Sequence, residues 1–129
     1  MILNNFKNRI FGRTRGRIKK FDIEKYTSLV NKYKFKKLNS QKNYILDIGT
    51  GYGETSIFLS KKFPKKNIIS CDKYIDGNFN LLKNIQKEKI SNISIYPGNV
   101  YEILENNSTG EYFDLIWIFF PDPWPKKKH

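Results

Sequence analysis

The sequence has little of what metal sites, disulfides and membrane helices require. Cysteine, histidine and methionine each occur once in 129 residues. Cys71 alone cannot close an internal disulfide or build a cysteine-based zinc site. The longest apolar run, 115–120, has six residues, whereas a membrane helix needs about 20, and no apolar signal segment follows the N-terminus. We therefore expect no membrane span, no metal and a reducing, cytoplasmic setting.

Acidic residues are few relative to basic ones, and the basic excess is concentrated at the two ends. The chain has 24 Lys and Arg against 12 Asp and Glu, a net charge of +12. Residues 1–42 hold 13 basic and 2 acidic residues, residues 43–125 hold 8 and 10, and residues 126–128 are all lysine. The distribution predicts a basic N-terminal arm over residues 1–20, followed by a single domain over residues 21–129.

The arm mixes arginine with glycine. Arg13, Arg15 and Arg17 alternate with other residues, and Gly12 and Gly16 lie among them. Guanidinium groups match phosphate oxygens, and glycine lets the backbone come close, so we expect contact with a nucleic-acid backbone. A solvated tail or an organelle transit peptide stays open. An anionic membrane would also attract the arm, but its scattered aromatics form no lipid-facing stripe.

Helical and strand patterns alternate along the rest of the chain. The spacing predicts helices over 22–38, 54–63, 76–90 and 100–104, strands over 44–48, 67–71, 93–96 and 113–120, and a turn over 106–110. In the second helix we expect Ile57 and Phe58 to point inward. This order predicts an α/β fold with a parallel sheet and flanking helices. The apolar run 115–120 is typical of a strand covered on both faces.

A glycine-rich turn follows the first predicted strand. Its sequence is Asp-Ile-Gly-Thr-Gly-Tyr-Gly-Glu over residues 47–54. Glycines there permit a tight turn and a close approach to a ligand, which makes Gly49 and Gly51 candidate binding residues. Asp47 would repel a pyrophosphate and attract a cation, so the electrostatics favour S-adenosylmethionine, with its sulfonium and ammonium, over a dinucleotide. An ordinary strand-to-helix turn is the alternative.

Polar side chains also follow the next two strands. Asp72 closes the second strand, where a carboxylate can accept two ribose hydroxyls, although a solvent-exposed aspartate at a strand end would look the same. Asn99 follows the third strand. Its amide could hydrogen-bond an adenine edge, and its position before Val100 also suits a helix N-cap. The two roles can coexist.

The last motif is the most specific. Residues 119–129 read Phe-Phe-Pro-Asp-Pro-Trp-Pro-Lys-Lys-Lys-His. Three prolines at every second position hold the backbone extended around Asp122. Trp124 offers a stacking surface for a base, and the lysines offer phosphate contacts. A rigid strand exit with a buried tryptophan is the structural alternative. The motif also distantly resembles the one used to methylate exocyclic amines, but the residue order differs.

With these motifs in this order, the sequence resembles the bacterial tRNA (guanine-N7)-methyltransferases, a class I S-adenosylmethionine-dependent family. The resemblance covers roughly residues 10–129 and includes Phe-Gly-Arg-x-x-Gly at 11–16. It implies a Rossmann-like sheet and an S-adenosylmethionine-binding methyltransferase domain over residues 21–129. It also implies tRNA as the substrate and methyl transfer to guanine N7.

The resemblance assigns roles to five positions. Asp47 corresponds to the acid that holds the methionine part of the cofactor, Asp72 to the ribose acid and Asn99 to the adenine-side residue. Asp122 matches the active-site position and Lys126 a substrate contact. Three departures are visible: aspartate stands at 47 and at 72 where the family commonly has glutamate, and Asn99 replaces an aspartate.

Members of the family continue well beyond the final histidine of this motif. The resemblance therefore implies an N-terminal fragment whose domain is partial and whose C-terminal strands are missing. The strand over 113–120 would then be an apolar, unpaired edge. Methyl transfer by this chain, and a non-catalytic remnant that binds only cofactor or tRNA, are both open at this point.

Overall fold

The fold is an α/β arrangement built on one parallel sheet. A computed structural model describes residues 20–39, 43–106 and 112–118. The helices are α1 (Lys20–Tyr33), α2 (Glu54–Lys62), α3 (Ile75–Glu88) and α4 (Val100–Asn106). The strands are β1 (Tyr44–Ile48), β2 (Asn67–Cys71), β3 (Ile93–Tyr96) and β4 (Phe113–Ile118). The bounds predicted for the first three strands are confirmed.

The four strands are all parallel and lie in the order β3-β2-β1-β4. The chain moves outward from β1 to β3 and then returns to the other side of β1. The switch point therefore lies between β1 and β4. In open parallel sheets, ligands bind at the carboxyl ends of the strands beside such a point.

Alternate residues of the inner strands enter two separate cores. Ile45 and Ile68 belong to the core that includes side chains of α1, α2 and α3. Leu46 and Ile69 belong to a second core, which includes Ile103 of α4. This alternation is what a strand with both faces covered requires. Cys71 is a buried member of the second core, and burial raises the pKa of its thiol to about 12, as its predicted packing role implies.

The first helix is shorter than its pattern predicts. It ends at Tyr33 instead of residue 38, and the next residue, Lys34, forms a parallel bridge with Ile95 of β3. The backbone N–H of Phe35 donates to the Ile95 carbonyl at 2.8 Å. Phe35 and Leu38 then enter the second core. The apolar residues after Tyr33 therefore pack against the sheet and do not continue the helix.

Two expectations about burial were wrong. Phe58 of α2 is 55% exposed, and Leu59 is the buried residue of that turn. In β4, Ile116, Trp117 and Ile118 are 49%, 43% and 45% exposed, so this part of the strand is not covered on both faces. β4 is the last strand of the sheet on the β1 side among the residues described, and it lacks a neighbour there that would bury these side chains.

Some predictions lie outside the described residues. These are the basic arm up to residue 19, the turn after Asn106, and the end of the fourth strand with the proline-rich motif. Helix α1 begins at the predicted domain boundary, Lys20, and the division of the chain stays a prediction. Among the described helices, none is long and apolar enough to cross a membrane.

Candidate functional site

The loops that follow β1 and β2 meet at the carboxyl edge of the sheet. The first, Gly49 to Gly53, has three glycines with positive φ angles of 74°, 59° and 93° at residues 49, 51 and 53. Side chains are strained in that region, so the path of the loop depends on glycine. The Gly49 N–H donates to the Cys71 carbonyl at 2.9 Å and the Gly53 N–H to Thr50 at 3.0 Å. These bonds hold a tight turn between β1 and α2.

Gly51 lies at the open side of this loop. A Cβ placed on it would have no heavy atom within 4 Å. Glycine is favoured at position 51 because of the positive φ angle, and not because a side chain would meet other atoms. Its backbone therefore borders open space into which a ligand can come close.

Asp72 connects the two loops. Its Oδ2 accepts a hydrogen bond from the Gly51 N–H, and its Oδ1 accepts one from the Tyr74 N–H, both at 2.9 Å. The carboxylate is half-buried, and each oxygen keeps a lone pair for a further donor. The sequence predicts Asp72 beside the glycine turn, and the structure brings it there with its orientation fixed by backbone amides.

Asp47 is placed differently from Asp72. It is fully buried, and its Oδ2 accepts a 2.6 Å hydrogen bond from Ser56 in the first turn of α2. Burial raises the pKa of this carboxyl to about 6, against a lowering by Ser56, and the charge of Asp72 adds to the rise. Among the residues that the structure describes, none forms a hydrogen bond with its Oδ1. Asp47 has no exposed surface, and its carboxylate adds negative potential beneath the site.

Asn99 forms the N-cap of α4. Its Oδ1 accepts from the Tyr101 N–H at 2.9 Å, and its own N–H donates to Glu102 Oε1 at 3.1 Å. The side chain of Asn99 thus caps the N2 amide of the helix, and Glu102 at N3 returns a bond to the cap, so the predicted cap is confirmed. Asn99 remains exposed at the carboxyl end of β3, on the same edge of the sheet as Asp72. Its predicted contact with an adenine stays a prediction.

The predicted substrate residues lie outside the described part of the chain. They are Arg13, Arg15 and Arg17 of the arm, and Asp122, Trp124 and Lys126 of the last motif. Their assigned roles therefore stay predictions.

Several residues that shape the site were missed in the sequence. Tyr52 and Tyr74 face each other across the two loops, with their hydroxyl oxygens 2.9 Å apart and their rings in edge contact. Asn80 donates to the Tyr52 carbonyl at 2.9 Å. Gly77 lies in α3 directly against Gly51. For Gly77 the sequence did offer a signal, because a glycine inside a helical pattern usually has a packing or functional reason.

The residues present fit a cofactor with a ribose and a positive charge better than they fit a metal. An open glycine backbone lies beside a carboxylate with free lone pairs, and a second carboxylate lies beneath. In the described ranges, no three metal-ligating side chains come together. The fold defines the class of the protein as an α/β, Rossmann-like protein, and the residues at the carboxyl edge of its sheet form a candidate small-molecule site.

Solved structures share this fold. An antibiotic-related methyltransferase aligns over 89% of this chain and 52% of its own, with a TM-score of 0.52 and 19% identity. TrmK from M. capricolum, solved with S-adenosylhomocysteine, aligns over 81% of this chain and 42% of its own, with a TM-score of 0.51 and 20% identity. The fold is therefore that of the class I methyltransferases.

Sequence comparison gives the family. The model of a family described as "Putative methyltransferase" matches residues 41–129, and the chain belongs to this methyltransferase family. A tRNA (guanine-N(7)-)-methyltransferase of Nitrosomonas eutropha is 40% identical over 85 residues, which are 66% of this chain and 38% of the relative. The chain thus spans well under half the length of that relative.

Proposed function

We propose that this protein belongs to the enzymes that transfer a methyl group from S-adenosylmethionine to N7 of guanine in tRNA. The observation that carries the proposal is the open backbone of Gly51 beside the oriented carboxylate of Asp72, in a chain of the methyltransferase family. The name of the 40% identical relative supports the choice of tRNA and of guanine N7.

The cofactor side of the site uses the described residues. Gly49 and Gly51 give the backbone room to approach the ligand, and Asp72 accepts hydrogen bonds from the ribose hydroxyls through its remaining lone pairs. Asn99 lies at the adenine end. Asp47 acts through its charge, because its side chain is buried, and a buried carboxylate stabilises a nearby cation strongly in a medium of low dielectric constant.

The substrate side uses the last motif and the arm. When bound, S-adenosylmethionine supplies an electrophilic methyl group on a sulfonium. Guanine N7 carries an in-plane lone pair, so no general base is needed, and the protein has to align the base and exclude water. Asp122 accepts hydrogen bonds from the Watson–Crick edge of the guanine. Lys126, with Arg13, Arg15 and Arg17, holds the tRNA backbone.

Methyl transfer is tested with the full chain, bulk tRNA and labelled S-adenosylmethionine. The proposal expects the label in 7-methylguanosine after digestion of the RNA to nucleosides. It expects Asp122→Ala to lower the rate at least a hundredfold while the affinity for S-adenosylhomocysteine changes less than twofold. A label on an exocyclic amine would replace the proposed base position. Binding of the cofactor without methyl transfer would contradict the proposed activity and leave cofactor binding as the function of this chain.

Cofactor binding is tested separately at Asp72. We expect Asp72→Asn to weaken S-adenosylhomocysteine binding tenfold or more, because an amide N–H₂ must then face a backbone N–H of Gly51 or Tyr74. Asp76→Asn is the matched control: it removes the same charge four residues away, in the first turn of α3. Isothermal calorimetry measures both. Equal losses in the two variants would make the effect one of net charge and remove Asp72 from the site.

A further inference from the structure

The residues that follow β2, up to the first turns of α3, hold the glycine loop at several points. The Gly51 N–H is bound by Asp72, and the Tyr52 carbonyl accepts a hydrogen bond from the Asn80 side chain at 2.9 Å. On the outer side, the hydroxyls of Tyr52 and Tyr74 pair at 2.9 Å. The backbone and the side chains of the loop are thus fixed by residues that follow β2, and not by the loop alone.

Gly77 is the closest point of this contact. A Cβ added to Gly77 would overlap the carbonyl oxygen and carbon of Gly51 and would come within 3.0 Å of the Tyr74 ring. The atom that it meets first is backbone, which cannot move aside as a flexible side chain can. Gly77 is buried in the first turn of α3.

Neither conformation nor helix propensity explains this glycine. Gly77 is not among the glycines of positive φ, so an L-residue could adopt its backbone angles. Glycine is also a poor residue for a helix interior, where alanine would be favoured. What remains is space: the missing side chain lets the Gly51 carbonyl lie against α3.

A second contact lies one helical turn further on. A Cβ on Gly53 would come within 2.6 Å of the Leu81 Cβ, and Leu81 is fully buried. Gly77 and Leu81 are four residues apart and therefore lie on the same side of α3. The loop approaches this side at both Gly51 and Gly53, so the position of α3 sets the position of the whole turn.

We propose that Gly77 is a positioning residue for the cofactor loop. By allowing the Gly51 carbonyl to pack on α3, it holds the Gly51 N–H on Asp72 and the open face of the loop toward the ligand. Asn80 supports the same arrangement through the Tyr52 carbonyl. The inference concerns the S-adenosylmethionine site and in that respect rests on the proposed function.

The test compares Gly77→Ala with Gln86→Ala in the full chain. Gln86 is an exposed residue of the same helix, so its replacement controls for a general change in α3. Amide hydrogen exchange by NMR is measured first, without ligand. We expect the Gly51 amide to exchange at least tenfold faster in Gly77→Ala and at an unchanged rate in Gln86→Ala. Calorimetry with S-adenosylhomocysteine should then show at least a tenfold loss of affinity in Gly77→Ala alone.

The two measurements separate the two proposals. Unchanged Gly51 exchange in a folded Gly77→Ala protein overturns the positioning role, whatever the cofactor does. A wild-type chain that does not bind S-adenosylhomocysteine overturns the proposed function, while hydrogen exchange still decides the role of Gly77. If Gly77→Ala does not fold, Asn80→Ala takes its place, since it removes one loop contact without adding atoms. Faster exchange around Tyr52 supports the proposal, and unchanged exchange there contradicts it.

Discussion

Strands β1 and β4 are neighbours of similar apolar character, yet they differ sharply in burial. Leu46 pairs with Ile116, and Asp47 pairs with Trp117. Leu46 and Asp47 are fully buried, whereas Ile116 and Trp117 are 49% and 43% exposed. β1 lies between β2 and β4, while β4 has β1 on one side only in the part of the chain that is described. The apolar pattern therefore predicts that both segments are strands. The elements that surround each strand determine whether its side chains are buried.

At the start of β4, alternate residues pack against the two cores, as they do in β1. Asp114 is the extra residue of an irregularity, because Tyr44 pairs with Phe113 and Ile45 already pairs with Leu115. This shift lets Phe113 pack in the second core, with its ring 6.4 Å from that of Tyr44, and lets Leu115 pack against the first. Before residue 116 only Asp114 is exposed, whereas residues 116 to 118 are all exposed. The difference between the strands thus lies at their carboxyl ends, beside the site.

The largest expected effect comes from truncating one side chain of each strand. We expect Leu46→Ala to lower the free energy of unfolding by about 2 to 5 kcal/mol, because a buried leucine leaves a cavity. Its register partner allows a direct comparison: Ile116→Ala should cost less than about 1 kcal/mol, since half of that side chain is already in water. Urea denaturation followed by circular dichroism measures both. Equal losses would mean that β4 is covered in solution.

The next effect has the opposite sign and depends on pH. In the folded chain the pKa of Asp47 is about 6, above its ordinary 3.8, so ionisation opposes folding. This cost is absent below about pH 4, grows between pH 4 and 6 and is complete above. At about 1.4 kcal/mol per pKa unit it reaches the order of 3 kcal/mol. We expect Asp47→Asn to raise stability by about 1 to 3 kcal/mol at pH 7 and to have little effect at pH 4.

The matched control for Asp47 lies on β4. Asp114→Asn removes the same charge from a half-exposed residue whose ion pair with Lys66 is 2.7 Å long, and it should change stability by less than about 1 kcal/mol at any pH. Thermal unfolding across pH 4 to 8 compares the variants. Asp47→Asn should also weaken S-adenosylhomocysteine binding. A variant less stable than the wild type at pH 7 would show that the carboxylate stabilises the folded state.

Local sequence patterns were sufficient to predict the features whose signal lies in a few consecutive residues. The strands at 44–48, 67–71 and 93–96 have the predicted bounds, because each is a short run rich in apolar residues that turn residues flank. The presence of the glycine turn and of the cap at Asn99 could be predicted for a similar reason, since the sequence pattern of each lies within five positions. Such features need no knowledge of the rest of the fold.

Long-range contacts explain what the sequence could not predict. Helix α1 ends early because Phe35 pairs with β3, 60 positions away. The sequence places a carboxylate at 47, but only the fold shows that Ser56 covers it and that it does not reach the surface. Gly77 of α3 is explained by its contact with Gly51, in the loop between β1 and α2. Each of these depends on which surfaces the topology brings together.

The smallest effect on stability, and the last test of the comparison, concerns the free edge of β4. Ile116 is exposed on a strand whose outer side has no partner among the described residues, and such an edge favours pairing with another chain. We expect Ile116→Lys to change the free energy of unfolding by less than about 0.5 kcal/mol and to reduce self-association, because an edge lysine opposes strand pairing.

Leu104→Lys is the control, since Leu104 is an exposed apolar residue on helix α4. Sedimentation velocity over a concentration series distinguishes the cases. Equal loss of association in both variants would mean that general hydrophobicity drives it. Loss in Ile116→Lys alone would mean that the difference between β1 and β4 is the missing neighbour.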